Sequence, residues 1–127
     1  MSYAPYPRGT ILIPTDTTQH LFIIITKRCN AGGHLLLNIS SIRAGKFYDP
    51  ACTFAGGEHP FIKQPSFVFY QMAEQKQAKS ISDLVTKSYY TEKTPLDQVH
   101  FAKVCAGIMQ SKFTKPWVKE YFRKNAP

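Results

Sequence analysis

A run of five large apolar residues at positions 21–25 (LFIII) constrains the fold of this chain more than any other feature. A half-buried strand alternates apolar and polar side chains, and an amphipathic helix repeats apolar residues every three to four positions. Five consecutive apolar side chains fit neither pattern. The run is too short for a buried helix and is rich in β-branched residues, so residues 20–27 are predicted to form a central strand covered on both faces.

Weaker patterns on either side predict partner strands. Residues 10–14 are expected to form a short strand, followed by a polar loop at 15–19. The CNAGG segment at 29–33 is typical of a hairpin turn, and residues 34–40 are expected to form the strand after it. Residues 66–73 predict a further strand. Connections this short favour antiparallel pairing.

The last third of the chain has helical periodicity. Residues 75–79 are predicted to be a polar connection and residues 80–87 a short helix. Thr94 and Pro95 are a cap and a first helical residue for a longer helix that reaches residue 113. Pro116 predicts the start of another. The long helix has one apolar stripe that is expected to face the core, formed by Phe101, Val104, Cys105, Ile108 and Met109.

These elements predict an α+β fold in one domain, residues 1–127. A small antiparallel barrel or curled sheet is expected over residues 7–75, with a helical part laid on it over residues 80–124. The hydrophobic fraction of 43% in 127 residues is enough for one core.

Several features indicate a cytoplasmic protein. The chain has no run of about 18 apolar residues, so no membrane span is expected. The first ten residues lack the apolar stretch of a secretory signal. The three cysteines, Cys29, Cys52 and Cys105, have no CxxC spacing and are expected to be free thiols.

The charge is strongly positive, with sixteen Lys and Arg against eight Asp and Glu, a net charge of +8. From Lys103 to the end, six residues are basic and only Glu120 is acidic. A basic surface favours phosphates or an acidic protein partner. The alternative is a surface that serves only solubility.

The segment 49–70 is the densest in reactive side chains. A double glycine at 56–57 precedes Glu58 and His59, and prolines at 60 and 65 stiffen the backbone. Histidine is the side chain that most readily changes protonation near neutral pH. The segment is either a functional loop or a well-tied surface loop, and the sequence leaves both open.

Motifs of several enzyme classes are absent. The chain contains no GxxxxGK[ST], GxGxxG, HExxH or GxSxG pattern, which argues against nucleotide-dependent enzymes, zincins and α/β hydrolases. Asp49, Cys52 and His59 are all zinc-binding residue types, but a fourth ligand and a recognisable spacing are missing. Neither a metal nor another cofactor is therefore expected.

Short motifs in the first half of the chain resemble the MazF/PemK class of toxins. In that class an Arg-Gly pair opens the first strand and a Pro-Ile-Thr-Ser stretch closes the third. Arg8-Gly9 matches the former, and Ile39-Ser40-Ser41 approximates the latter. The order of elements is similar over residues 7–75. The chain departs from the class at Gln19-His20, where a catalytic Arg-Pro pair is usual, and in its GGEHPFI stretch.

The resemblance implies an SH3-like barrel and a metal-independent endoribonuclease that cleaves single-stranded RNA. It also implies a bacterial toxin-antitoxin system, with an acidic protein inhibitor as partner and a homodimer as a further expectation. The alternative is a non-catalytic SH3-like module that binds nucleic acid or an acidic protein.

Metal-free RNA cleavage needs an acid, a base and cations around the phosphate. The candidates for acid and base are His59, His20 and Asp49 or Glu58. His59 is preferred because the glycines and prolines position its loop. The candidates for substrate binding are Ser40, Ser41, Arg43, Lys46 and Lys63, with Tyr70 or Phe61 to stack on an unpaired base.

Overall fold

The computed structural model describes residues 3–16 and 18–127 of the chain. Within them the protein is α+β, as predicted. The strands are β1 Thr10–Thr15, β2 Thr18–Ile24, β3 Gly33–Ser41, β4 Thr53–Phe54, β5 Ser66–Val68, β6 Glu74–Gln77 and β7 Thr91–Lys93. The helices are α1 Ala78–Thr86, α2 Gln98–Gln110 and α3 Pro116–Asn125.

All seven strands belong to one antiparallel sheet in the order β4-β5-β3-β2-β1-β7. Strand β6 pairs with the first half of β3, while β5 pairs with its second half. Among the described residues the two ends of this path, β4 and β7, do not pair with each other. The predicted barrel is therefore not closed, and the sheet is open.

The central apolar run is covered on both faces, as predicted. Leu21, Ile23 and Ile25 lie in a large core cluster with residues of α2 and α3. Phe22 and Ile24 lie in a second cluster with Ile81 of α1. All five side chains of the run are at most 2% exposed. Helices thus supply the second apolar cover, and the sheet does not need to close on itself to bury both faces.

Three segments differ from the predicted elements, two of them because polar residues also form strands. The loop expected at 15–19 is largely strand, since the β1–β2 ladder continues to the pair Thr15↔Thr18. The strand expected at 66–73 ends at Val68, and a 3₁₀ turn at Tyr70–Met72 follows it. That turn carries the chain to the other half of β3, so the expected polar connection becomes β6.

The long helix begins later than predicted. Its N-cap is Asp97, whose side chain accepts a hydrogen bond from the His100 amide at 2.9 Å. Thr94 instead lies before the helix, where its carbonyl accepts the hydroxyl of Thr10 at 2.7 Å. Most of the apolar stripe packs into the core, but Met109 is 45% exposed. The third helix begins at Pro116, as predicted.

The three cysteines are free thiols, as predicted. Within residues 3–16 and 18–127, no helix combines the length and the apolar character that a bilayer crossing needs.

Candidate functional site

A groove opens where the sheet splits between its two central strands. The β2–β3 ladder ends at the pair Leu21↔Ile39. Beyond that pair, β2 remains paired with β1 as far as Thr18, and β3 remains paired with β5 as far as Ser41. The start of β2 and the end of β3 therefore part from each other, and side chains from both faces of the sheet border the opening.

The groove has a volume of about 370 Å³ and brings together residues from three stretches of the chain, 18–21, 39–43 and 61–66. Five of the predicted site residues line it: His20, Ser40, Ser41, Arg43 and Lys63. Phe61, the alternative to Tyr70 for base stacking, lines it as well. The amide group of Gln64 donates to the hydroxyl of Ser41 at 2.8 Å, which ties the 61–64 segment to the end of β3.

The floor of the groove is apolar and its rim is polar and basic. Leu21, Ile39 and Ile62 are buried beneath it. Arg43 and Lys63 are exposed at its edge. Among the described residues that line the groove, none is acidic. The rim therefore favours an anion.

His20 is the one histidine in the described lining of the groove. It is half-buried near the start of β2, opposite Ile13 of β1. Within the described part of the chain, no residue forms a hydrogen bond to its ring. Both ring nitrogens are thus available to a substrate.

His59, the preferred candidate from the sequence, is placed differently. Its side chain is only 4% exposed. Its Nδ1 accepts a hydrogen bond from the Phe61 amide at 3.0 Å, so Nε2 carries the proton and donates to the Thr94 carbonyl at 2.7 Å. His59 does not line the groove. It ties the loop after β4 to the segment that leads into α2.

Asp49 and Tyr70 do not line the groove, and both are buried with their polar atoms engaged within the protein. Asp49 is 2% exposed, and its carboxylate accepts from the Ala51 amide at 2.9 Å and from the Ser111 hydroxyl at 2.5 Å. Tyr70 is fully buried, and its hydroxyl donates to the Val104 carbonyl at 2.7 Å. A buried ring cannot stack on a base. The sequence predicted site roles for both residues, because a residue type does not show whether its side chain is buried.

Lys46 is exposed but does not line the groove. It follows Arg43 in a tight turn, in which the Lys46 amide donates to the Arg43 carbonyl at 3.1 Å. Gly45 has a φ of +73°, which favours glycine at this position of the turn.

A second polar cluster escaped sequence reasoning. His100 lies between two carboxylates, with Nε2 2.9 Å from Glu58 and Nδ1 2.6 Å from Asp97. The hydrogen bond to Glu58, followed in size by the hydrogen bond to Asp97, raises the pKa of His100. Hydrogen bonds from His100 in turn lower the pKa of the Glu58 and Asp97 carboxyls. The i,i+3 spacing of Asp97 and His100 was a usable signal. Nothing in the sequence indicated that Glu58, 42 positions away, would join them.

The candidate metal ligands of the sequence do not form a site. Among the described residues, no three side chains of His, Cys, Asp or Glu are arranged so that they could hold a metal ion. Comparison of the chain with protein-family models, with curated proteins and with solved structures finds no match.

Proposed function

We propose that this chain is an endoribonuclease of the MazF/PemK type, which cleaves single-stranded RNA without a metal ion in the groove between β2 and β3. One observation carries the proposal. The groove collects a histidine, two serines, an arginine and a lysine from separated parts of the sequence, and its described lining contains no carboxylate. That combination suits a phosphodiester.

In the proposed reaction, His20 takes the proton from the ribose 2′-hydroxyl as the 2′-oxygen bonds to the neighbouring phosphorus. The bond between phosphorus and the 5′-oxygen breaks, and that oxygen leaves with a proton from solvent water, which gives a 2′,3′-cyclic phosphate. Arg43 and Lys63 stabilise the additional negative charge that develops on the phosphate oxygens. The hydroxyls of Ser40 and Ser41 donate hydrogen bonds to the same group. Phe61, which is 38% exposed at the rim, offers a ring to an unstacked base.

The departure from the toxin class at Gln19-His20 fits this assignment. The class has a catalytic Arg-Pro pair at the entrance to the second strand, where this chain has Gln19-His20, so Gln19 stands in the place of the arginine and His20 follows it at the mouth of the groove. In the proposal, His20 takes over proton transfer from this neighbouring position, and Arg43 supplies the cation. The open sheet with helical additions is proposed as a divergent form of the SH3-like fold.

An inhibitor protein and a second copy of the chain are the partners that this proposal implies. A net charge of +8 and a basic groove favour an acidic protein inhibitor that covers the rim, as an antitoxin would. Cytoplasmic location and a homodimer are parts of the toxin-antitoxin hypothesis and depend on it.

One observation favours a second function. Metal-free cleavage uses both a base and an acid, but the described groove lining contains one histidine, His20, and no carboxylate. A groove with a single such group is also suited to binding RNA without cleaving it. The alternative is therefore a non-catalytic module that binds single-stranded nucleic acid in the same groove.

Cleavage of single-stranded RNA in the presence of EDTA distinguishes the two functions. If the protein is a nuclease, His20→Ala should reduce the cleavage rate by about two to four orders of magnitude, the usual contribution of acid–base catalysis. The melting temperature should change little, because the ring of His20 makes no hydrogen bond to a described residue.

His59→Ala is the matched control. It removes two buried hydrogen bonds and should lower the free energy of unfolding by about 1–3 kcal/mol, while cleavage per folded molecule is retained. Equal loss of cleavage in both variants would exclude His20 as the specific acid–base group. RNA binding without cleavage by the unmodified protein would select the second function, and absence of binding would remove both.

A further inference from the structure

Three exposed aromatic side chains form a cluster beside the groove. Phe47, Tyr48 and Phe113 are 47%, 43% and 38% exposed. Phe47 packs edge-on against Phe113, with ring centroids 5.0 Å apart, and lies 5.7 Å from the ring of Phe69. The cluster borders a concavity of about 510 Å³ between the 47–51 segment and the end of α2. Apolar rings that remain in solvent in this way indicate a binding surface.

A buried aromatic ring of the sheet packs against the cluster. The ring of Phe67, which is 2% exposed in β5, lies 6.2 Å from Phe47 and 6.2 Å from Tyr48. The only carboxylate in the described lining of the concavity is Asp49, and its oxygens already accept hydrogen bonds from Ala51 and Ser111. The rings are therefore held in place by packing rather than by a polar network.

Cations flank the cluster and connect it to the groove. Lys112 lines the concavity. Lys46 directly precedes Phe47, and the turn that its amide closes with Arg43 keeps the Cα atoms of these two residues within about 7 Å. Arg43 is itself at the rim of the groove. A strand of nucleic acid that has a phosphate at Arg43 would therefore meet Lys46 and then Phe47.

We propose that Phe47, Tyr48 and Phe113 are a stacking platform for the bases of single-stranded RNA that extend from the groove, with Lys46 and Lys112 binding the flanking phosphates. The proposal rests on the proposed function of the groove. Aromatic rings interleaved with cations are the usual surface for single strands, because every base has a face that can stack and every nucleotide has a charge. An apolar protein partner would account for the rings but not for the three cations around them.

The platform assigns a role to Lys46, which lies outside the groove. It also predicts that affinity increases with the number of nucleotides beyond the cleaved bond, whatever their sequence, because stacking tolerates all bases.

The test measures binding of a 2′-O-methyl RNA oligonucleotide, which cannot be cleaved by attack of a 2′-hydroxyl. Two matched probes carry abasic sites on one side or the other of the central nucleotides. Phe47→Leu should weaken binding of the intact oligonucleotide by between about 5-fold and about 150-fold, the range for loss of stacking on one base. The same variant should have no effect on the probe whose abasic segment faces the platform.

Leucine at position 47 preserves apolar contact with Phe67 and Phe69, so the variant is expected to remain folded. A thermal melt verifies this, and Tyr48→Ala is a second variant at the edge of the cluster. Tyr89→Ala is the matched control, because Tyr89 is 65% exposed and lies far along the chain, after α1. It should leave affinity unchanged.

The outcomes separate this inference from the proposed function. If Arg43→Ala weakens binding but Phe47→Leu does not, the groove binds RNA and the platform is refuted. Equal effects of Phe47→Leu on intact and abasic probes also refute stacking. Self-association that depends on Phe47, without an effect on RNA, would identify the surface as a protein interface. If the unmodified protein binds none of the probes, both proposals are wrong.

Discussion

At the scale of single residues, the four histidines illustrate how environment decides role. His34 is buried, with Nδ1 3.0 Å from the carbonyl of Thr26, and His59 is buried with both nitrogens engaged. His20 borders the groove without a described partner. His100 bridges two carboxylates and stacks on the ring of Phe54, with ring centroids 5.5 Å apart. Of the four, only His20 lines the groove, and its ring nitrogens have no hydrogen-bond partner among residues 3–16 and 18–127.

His100 should make stability depend on pH. Its pKa is raised in the folded protein, so its contribution is complete below its unfolded value of about 6.5 and is lost as pH rises through the folded value. The pKa values of Glu58 and Asp97 are lowered, so their contributions are complete above about pH 4.5 and are lost as pH falls through the folded values. The cluster should therefore stabilise the fold most between about pH 4.5 and pH 6.5.

We expect the difference in melting temperature between the natural protein and His100→Gln to be largest between about pH 4.5 and pH 6.5. The difference should become smaller above this range. Lys103 is a nearby cation that also helps to lower the pKa of Glu58. Glu58→Gln should flatten the pH dependence, and Glu92→Gln, at an exposed glutamate of β7, should not. A difference that is constant from pH 4 to pH 9 would show that His100 contributes by packing alone.

At the scale of elements, the contact between the 3₁₀ turn and α2 explains a glycine inside a helix. Gly107 lies in α2 and is buried. A Cβ at this position would be 2.6 Å from Cζ of Tyr70 and would overlap its hydroxyl even more closely. The same hydroxyl donates to the Val104 carbonyl one turn earlier. The tyrosine therefore lies directly on the helix backbone, and only glycine permits that approach.

Gly107→Ala should thus destabilise the protein by about 1–3 kcal/mol through overpacking. Helix propensity alone predicts the opposite sign, a gain of about 1 kcal/mol. Chemical denaturation measures the difference. Combining Gly107→Ala with Tyr70→Phe should recover part of the loss, because the closest overlapping atom is removed; a stabilised Gly107→Ala variant would disprove the tight packing.

At the scale of the whole molecule, the sheet lies between helices, and the groove between β2 and β3 remains open. Helix α1 covers one face through Ile81, and α2 and α3 cover the other through residues that include Val104 and Val118. The net charge of +8 is a property of the whole surface, and its summed field acts on any charged ligand that approaches the groove.

RNA affinity should consequently decrease by orders of magnitude between about 50 and about 200 mM salt, because binding releases counterions from several phosphates. Arg43→Ala and Lys63→Ala should each reduce the salt slope by about one. Lys79→Ala, at an exposed lysine of α1, is the matched control and should leave the slope unchanged if α1 lies outside the RNA path. Affinity that is flat over this range would exclude a polyanionic ligand.

The sequence alone determined the α+β class, the doubly covered central strand and the helix start at Pro116. These follow from local composition: consecutive apolar residues must be buried on both faces, and proline at a first helical position loses no hydrogen bond. It also identified five residues of the groove, because polar and basic side chains near strand ends remain exposed in most arrangements.

Only the tertiary structure decided that the sheet is open, that β2 and β3 part beyond Leu21↔Ile39, and that His59, Asp49 and Tyr70 are buried. Each of these depends on partners far along the chain, such as Thr94 for His59 and Val104 for Tyr70. A titratable side chain has the same letter whether its polar atoms meet a substrate or a distant carbonyl. Long-range contacts that local patterns do not encode therefore decide that His59 is engaged within the protein and that His20 borders the groove.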